Sequence, residues 1–255
     1  MKTKLFLGLC LAAGLLTACH KKPVEIPVSK IEIEPAQYMM FVGDEQTVTI
    51  KCYPANATNL DALTTRITDT KVASFQDGKL TALAPGSCLL VAQCGAVTYQ
   101  SKIKVYSGYF TKGDTMYGVD SAAGYYLLMG ESTPQEIQLT LTYNDGGTDT
   151  QNFWLDVKCS NFGKTIDFMK DMDGSMVSVQ KNNNEDGYCI PYAKEDGTPA
   201  VVLADWGYTD ATLVKGLLTV ESPATGKFKV SADFALSNGY TFSADWEGSA
   251  SMKTE

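Results

Sequence analysis

The chain has 255 residues and a formal net charge of −8 at neutral pH, and 44% of its residues are hydrophobic. This composition suits packed domains rather than a disordered chain, and the length suits two domains of ordinary size. Nucleic-acid binding needs clustered lysine and arginine. An acidic chain whose single arginine is Arg66 is therefore expected to bind no nucleic acid.

Histidine chemistry is excluded from almost the whole chain. The one histidine, His20, lies close to the N-terminus. A folded domain after this residue cannot contain a Ser-His-Asp triad, a Cys-His pair or a histidine metal site. No spacing singles out a catalytic pair among the 29 acidic residues. We therefore predict a protein that is not an enzyme and that has neither a cofactor nor a metal ion.

The N-terminus has the pattern of a secretory signal. Two lysines precede a short apolar run that ends in Leu15-Leu16-Thr17-Ala18-Cys19. Positive residues, an apolar stretch and small residues at the cut are typical of an export signal, and a membrane-spanning helix would need about 20 apolar residues. The segment from Leu15 to Cys19 resembles the lipobox of bacterial lipoproteins. That resemblance implies removal of residues 1–18 and attachment of lipid to Cys19.

The resemblance also implies a cellular location. In the lipoprotein family an aspartate after the cysteine favours retention in the inner membrane, and here His20 occupies that position. We therefore expect an exported protein that is anchored to the outer membrane through lipid on Cys19, with residues 19–27 as a tether. The face of the membrane stays open, and plain secretion is the alternative.

Residues 28–106 predict a small β-domain, because apolar residues alternate with polar ones between turn residues. Ile31 and Ile33, for example, alternate with charged residues. The segment resembles the bacterial immunoglobulin-like domain, group 2, which is a β-sandwich of surface proteins. The matching pieces are, in order, Ile31-Glu32-Ile33 with Pro35, Val42-Gly43-Asp44, Pro54-Ala55-Asn56-Ala57-Thr58, Val72-Ala73-Ser74, Gly78-Lys79-Leu80-Thr81-Ala82-Leu83, Gly86 and Ile103-Lys104-Val105.

The cysteines form two candidate disulfide pairs, since an exported protein lies in a compartment where disulfides are stable. Cys52 and Cys94 each end a predicted strand on its inward side, and the immunoglobulin-like topology implies that these strands face each other. We favour a Cys52–Cys94 bridge, and reduced buried thiols are the alternative. Cys159 and Cys189 are the second candidate pair, but the sequence gives no geometry for it.

Residues 107–255 predict a second antiparallel β-domain, a sandwich or a barrel, because many short strands alternate with turn signals. The predicted strands are Tyr125–Met129, Ile137–Tyr143, Phe153–Cys159, Met176–Lys181, Ala200–Ala204, Lys227–Leu236 and Tyr240–Trp246. The predicted turns are Asn144-Asp145-Gly146-Gly147, Asp173-Gly174, Glu185-Asp186-Gly187 and Glu195-Asp196-Gly197.

The last hairpin allows a prediction of register. A two-residue loop would place Phe234 opposite Ser243 and break the apolar face, whereas a Ser237-Asn238-Gly239 loop places Phe234 opposite Phe242. Directly opposed residues point to the same side of a sheet, and glycine suits the left-handed third position of such a loop. We therefore predict the three-residue loop.

Candidate binding residues lie in two aromatic segments. Asp205, Trp206, Tyr208 and Asp210 combine aromatic rings with carboxylates, as a sugar-binding platform does. However, the alternation from Val202 to Tyr208 also fits one strand, and core packing is favoured for such aromatics. Tyr125 and Tyr126, near the start of the second unit, are candidates for lining a cavity or for the contact between the two units, with core packing again favoured.

The expected function is noncatalytic binding or adhesion at the cell envelope, with a carbohydrate or an envelope protein as the partner. A small-molecule or lipid carrier is one alternative, and it needs a barrel with an apolar cavity. A glycosidase with two carboxylates is another, and it needs a cleft between the two acids. Aromatic residues exposed on a flat sheet would favour sugar binding over both.

Overall fold

The structure is a computed structural model that describes residues 24–144, 146–170, 174–182, 185–190, 201–204 and 207–255, with the backbone alone for 185–190, 201–204 and 207–210. The described residues are almost entirely strands and turns, with two three-residue 3-10 helices at Leu60–Ala62 and Cys159–Asn161. The all-β prediction is confirmed. Within these residues, no helix has the length and apolar character to cross a bilayer.

The first unit, residues 28–106, consists of short strands in three small sheets. Their order is β1-β4, β2-β9-β8-β5 and β3-β7-β6. Ile31 and Ile33 are each 2% exposed, so the alternation seen in the sequence does mark the buried side of its strand. The strands are β1 (Lys30–Glu34), β2 (Gln37–Phe41), β3 (Glu45–Thr47), β4 (Thr49–Tyr53), β5 (Leu63–Ile67), β6 (Ala73–Gln76), β7 (Lys79–Ala82), β8 (Gly86–Cys94) and β9 (Val97–Tyr106).

The second unit, residues 107–255, is a meander in which strands that follow each other in the chain are mostly neighbours in the sheet. Its described strands are β10 (Gly108–Lys112), β11 (Thr115–Gly118), β12 (Ser121–Leu127), β13 (Glu136–Asn144), β14 (Thr150–Lys158), β15 (Thr165–Asp167), β16 (Met176–Lys181), β17 (Glu185–Ile190), β18 (Val201–Ala204), β19 (Gly207–Ala224), β20 (Lys227–Leu236), β21 (Thr241–Ser249) and β22 (Ser251–Thr254).

The last strand of the meander pairs with one of its first strands. It runs from β12 through β13, β14 and β16 to β21, and β22 then pairs in parallel with β12. Only Ala250 separates β21 from β22, so the end of the sheet returns to its beginning. This pairing is consistent with a β-sandwich, one of the two arrangements that the sequence left open. The hairpin β10–β11 extends the sheet beyond β21.

Each unit has its own buried core. One cluster of buried side chains runs from Val28 to Val105, and the other runs from Phe110 to Trp246. The boundary predicted at residues 106 and 107 lies between these two clusters. Independent folding of the second unit stays a prediction.

The last hairpin forms in the predicted register, around the loop Ser237–Gly239. Leu236 N–H donates to the Tyr240 carbonyl at 2.9 Å, and Gly239 has a φ of +85°. The Phe234 and Phe242 rings stack with centroids 4.8 Å apart. The predicted pair of Phe234 with Phe242 is present, and the same register places Val230 opposite Trp246 and Lys229 opposite Glu247.

One predicted turn is wrong. Glu185-Asp186-Gly187 lies in β17 rather than in a turn, because Glu185 pairs with Lys181 of β16. The reversal comes earlier and begins at Asn182, which has a φ of +47°. The Asn182 side chain fixes this start, since its Oδ1 accepts a hydrogen bond from Thr150 N–H at 2.8 Å.

Candidate functional site

Three of the predicted functional residues lie outside the described part of the chain: Cys19, Asp205 and Trp206. Tyr208 and Asp210 lie on β19, of which the structure describes only the backbone at these positions. The strand assignment behind the core-packing interpretation is nevertheless corrected. Val201–Ala204 and Gly207–Ala224 are two antiparallel strands with Ala204 opposite Gly207, so residues 202–208 do not form one continuous strand.

Tyr125 and Tyr126 point to opposite sides of β12. Tyr126 packs against the core cluster, its ring centroid lies 6.4 Å from that of Phe228, and its hydroxyl accepts a hydrogen bond from Gly226 N–H at 3.0 Å. Tyr125 lies on the other side of the strand, where the Lys253 ammonium is 5.8 Å from its ring centroid. Tyr126 is therefore a packing residue, whereas Tyr125 is available to a ligand.

Tyr125 belongs to a surface that we call the outer face. It is the side of β12, β13, β14 and β16 that points away from the core, and alternation defines it because the intervening residues are buried. On β14, for example, Phe153, Leu155 and Val157 are at most 1% exposed, so the residues between them face outward. The half-buried members of the outer face include Tyr125, Gln138, Thr140, Trp154, Asp156 and Met176.

Strand pairing arranges these residues in two rows. Tyr125, Gln138 and Asp156 are direct neighbours across three strands, and Thr140 lies opposite Trp154 in the adjacent row. Strands lie about 4.8 Å apart and rise about 3.3 Å per residue, so the Cα atoms of Tyr125 and Trp154 are separated by about 12 Å. Two aromatic rings therefore flank a strip of polar side chains.

The polar strip contains a bonded amide and carboxylate. Gln138 Nε2 donates to Asp156 Oδ2 at 3.0 Å. Burial raises the pKa of Asp156, the hydrogen bond from Gln138 opposes that rise, and the charge of Glu136 adds to it. The carboxylate thus has incomplete hydration, which strengthens any further hydrogen bond that it accepts.

The outer face is bounded on one side. Ser178 of β16 lies opposite Trp154 and is 2% exposed, and Asn152 is 1% exposed. The accessible part therefore lies between Tyr125 and Trp154. Among the described residues, no group of three metal-ligating side chains occurs there or elsewhere.

Trp154, Gln138 and Asp156 were not among the binding residues predicted from the sequence. A usable signal was present, because the predicted strand Phe153–Cys159 carries Trp154 and Asp156 two residues apart, on the side opposite to Phe153 and Leu155. A large aromatic residue and a carboxylate on the polar side of a strand are unusual enough to mark a binding surface.

The expected disulfide is not present in the structure. Cys52, Cys94 and Cys159 are all free thiols, and the side chain of Cys189 lies outside the described part of the chain. Cys94 is 1% exposed, and its Sγ donates to the Asn59 carbonyl at 3.2 Å. Burial raises the pKa of the Cys52 thiol, and the neighbouring Cys94 adds to the rise. The thiols thus act as small packing residues in the first unit.

Comparison with known proteins identifies no family. No protein-family model matches the chain, and no curated protein matches it. Among solved structures, the chain is similar to domains 5–6 of the S-layer protein SbsC, with 13% sequence identity and a TM-score of 0.27, over 87% of this chain and 85% of that chain. This similarity is too low to support a functional conclusion.

Proposed function

We propose that this chain is an exported, lipid-anchored protein of the cell envelope whose second unit binds carbohydrate without catalysis. The N-terminal segment that ends at Cys19 supports the lipid anchor and the location in the cell envelope. The outer face supports the binding activity. The observation that carries this proposal is the placement of Tyr125 and Trp154 two strands apart on one face, with Gln138 on the strand between them and Asp156 two residues from Trp154 on β14.

Sugars are amphipathic, and the outer face matches that character. An aromatic ring packs against the apolar C–H face of a sugar ring, which is a large contact at low entropic cost. The Gln138 amide and the Asp156 carboxylate can donate to and accept from ring hydroxyls. Ala123, which pairs with Thr140 between the aromatic residues, is small enough to let a ligand approach the sheet.

The carrier alternative has less support. A carrier needs an internal cavity, whereas the described interior of the second unit is filled with aromatic rings in mutual contact. The residues concerned, each 0% exposed, are Phe110, Phe153, Phe234 and Phe242. Since close-packed rings leave no room for a guest, we favour a surface site.

The glycosidase alternative rests on Asp156 and Glu136. An acid with a raised pKa beside a second carboxylate is a feature of such enzymes, and burial together with Glu136 raises the pKa of Asp156. The two acids lie on the open side of a sheet rather than in a cleft, so binding is favoured over catalysis. Hydrolysis of nitrophenyl glycosides that Asp156→Asn abolishes would contradict the noncatalytic proposal.

The test is a glycan-array screen of residues 20–255, which retain both buried clusters. We expect binding that Trp154→Ala and Tyr125→Ala each abolish while circular dichroism stays unchanged. Tyr53→Ala is the matched control, because Tyr53 is a 39% exposed tyrosine of the first unit. Binding that survives both outer-face changes but disappears with Trp206→Ala would move the site to the segment 205–210 and refute the outer face.

A further inference from the structure

A second candidate site lies between the two units. Lys102, Lys104 and Tyr106 alternate with buried residues on β9, so all three point to the same side of the first unit. β2 pairs in parallel with this part of β9 and places Gln37 beside Lys102 and Met39 beside Lys104. This side of the sheet forms one wall of a cleft of about 530 Å³.

The second unit supplies the opposite wall with Asp120, Tyr143, Asn144 and Gly146. Asp120 Oδ1 lies 2.7 Å from Lys104 Nζ, which joins the two walls by an ion pair. Asp120 Oδ2 accepts a hydrogen bond from Asn144 N–H at 2.9 Å. The volume is in the range that holds small ligands.

The cleft is preformed because the two units are held against each other. The Tyr106 ring occupies the space beside Gly118, where an added Cβ would be 2.5 Å from ring atoms. Phe41 of β2 contacts Tyr109 of β10, with centroids 5.4 Å apart. Ser107 alone separates β9 from β10. A ligand would therefore lose little free energy in ordering the walls.

Charge selects the class of ligand. Among the described residues that line the cleft, the charged ones are Lys102, Lys104 and Asp120. Asp120 neutralises Lys104, which leaves the exposed Lys102 as the excess charge. Lys102 lies two residues beyond Lys104, about 7 Å farther from the junction. A cationic group at the mouth and a polar, tyrosine-lined interior fit a small molecule with one carboxylate and several hydroxyls.

We propose that the interdomain cleft binds a hydroxylated carboxylate of the uronic acid class. The Lys102 ammonium pairs with the ligand carboxylate, and the ring of the ligand lies against Tyr143 with its hydroxyls toward Asn144. This site is separate from the outer face, and it holds whether or not the outer face binds glycans. It also gives the tandem arrangement a role, since neither unit alone has both walls.

The test is an NMR titration of residues 20–255 with glucuronate, glucose and inorganic phosphate. We expect glucuronate to shift amide signals of residues 102–106 and of Asn144 and Gly146. Lys102→Gln removes one charge-assisted contact, so it should weaken glucuronate binding about tenfold. Lys71→Gln is the matched control, because Lys71 is an exposed lysine of the first unit outside the cleft.

Four outcomes would overturn the proposal. No shift in these signals with glucuronate would remove the site, and equal affinity for phosphate would reduce it to a general anion site. Glucose binding as tight as glucuronate binding would contradict the role of the carboxylate. An unchanged affinity in Lys102→Gln would contradict the role of Lys102. Signals of Tyr125 and Trp154 report the outer face separately, so failure of one site is distinguishable from failure of the other.

Discussion

Gly118→Ala should disrupt the packing of the second unit against Tyr106 of the first unit. The new Cβ would lie 2.5 Å from ring atoms of Tyr106, and Tyr106 is only 7% exposed. The ring cannot swing into solvent without losing its contact with Phe41, whose ring centroid lies 6.2 Å away. Something must therefore move by roughly 1 Å to reach an ordinary van der Waals distance.

The expected cost follows from two opposing terms. Overpacking a buried site lowers the free energy of unfolding by about 1–3 kcal/mol. Replacing glycine with alanine also reduces the conformational entropy of the unfolded chain, which raises the free energy of unfolding by about 0.4–1 kcal/mol. Gly118 is not in the left-handed region, so backbone strain adds nothing. We therefore expect a net loss of about 1–2 kcal/mol in the free energy of unfolding.

The assay is urea denaturation followed by tryptophan fluorescence. All three tryptophans lie in the second unit, so the signal reports the unit that contains Gly118. In a Tyr106→Ala background the clash is absent, and Gly118→Ala should then cost less than about 0.5 kcal/mol. Met116→Ala, at a 43% exposed position on the same strand, should have little effect. If Gly118→Ala lowered the free energy of unfolding equally with and without the Tyr106 ring, a clash with this ring would be refuted as the cause.

Further predictions concern the outer face, the core, the anchor and the domain boundary. Burial raises the pKa of Asp156, so ionisation of this carboxyl group at higher pH lowers the stability of the fold. Asp156→Asn should therefore raise the Tm at pH 7. The gain in Tm should disappear in a scan toward pH 3, because Asp156 is then protonated. Phe242→Ala removes a ring that is 0% exposed and should cost about 3–5 kcal/mol in urea denaturation. Cys19→Ala should release the protein into the soluble envelope fraction, and continued membrane fractionation would contradict the anchor. Residues 107–255 should fold alone with a cooperative thermal transition, and an unfolded circular dichroism spectrum would contradict the boundary.

Sequence periodicity located strands well where their alternation is unbroken. Met176–Lys181 and Lys227–Leu236 have the predicted bounds. The strand β19 was missed, because a register shift between Leu213 and Lys215 interrupts its pairing with β20. Before the shift Leu213 is buried, and after it Leu218 and Val220 are buried. A bulge exchanges the two sides of a strand, so one alternating pattern cannot describe both halves.

The two candidate sites were less accessible to sequence reasoning than the hairpin. Residues of the hairpin are close in the chain, so turn geometry and side-chain parity fix its register. The outer face instead joins Tyr125 to Trp154 across three strands, and the cleft joins Lys104 to Asp120 across two units. Parity showed which residues point outward, but no local pattern showed which outward residues are neighbours.

The sequence by itself determined the strand content, the absence of histidine from the folded units and the register of the last hairpin, because these depend on composition and on contacts between nearby residues. Tertiary structure decided that β22 pairs with β12, that Tyr125 and Trp154 lie on one face with polar side chains, and that the Tyr106 ring packs against Gly118 beside a cleft. These features depend on contacts between distant parts of the chain. Such contacts are chosen by packing both cores at once, which no single segment encodes.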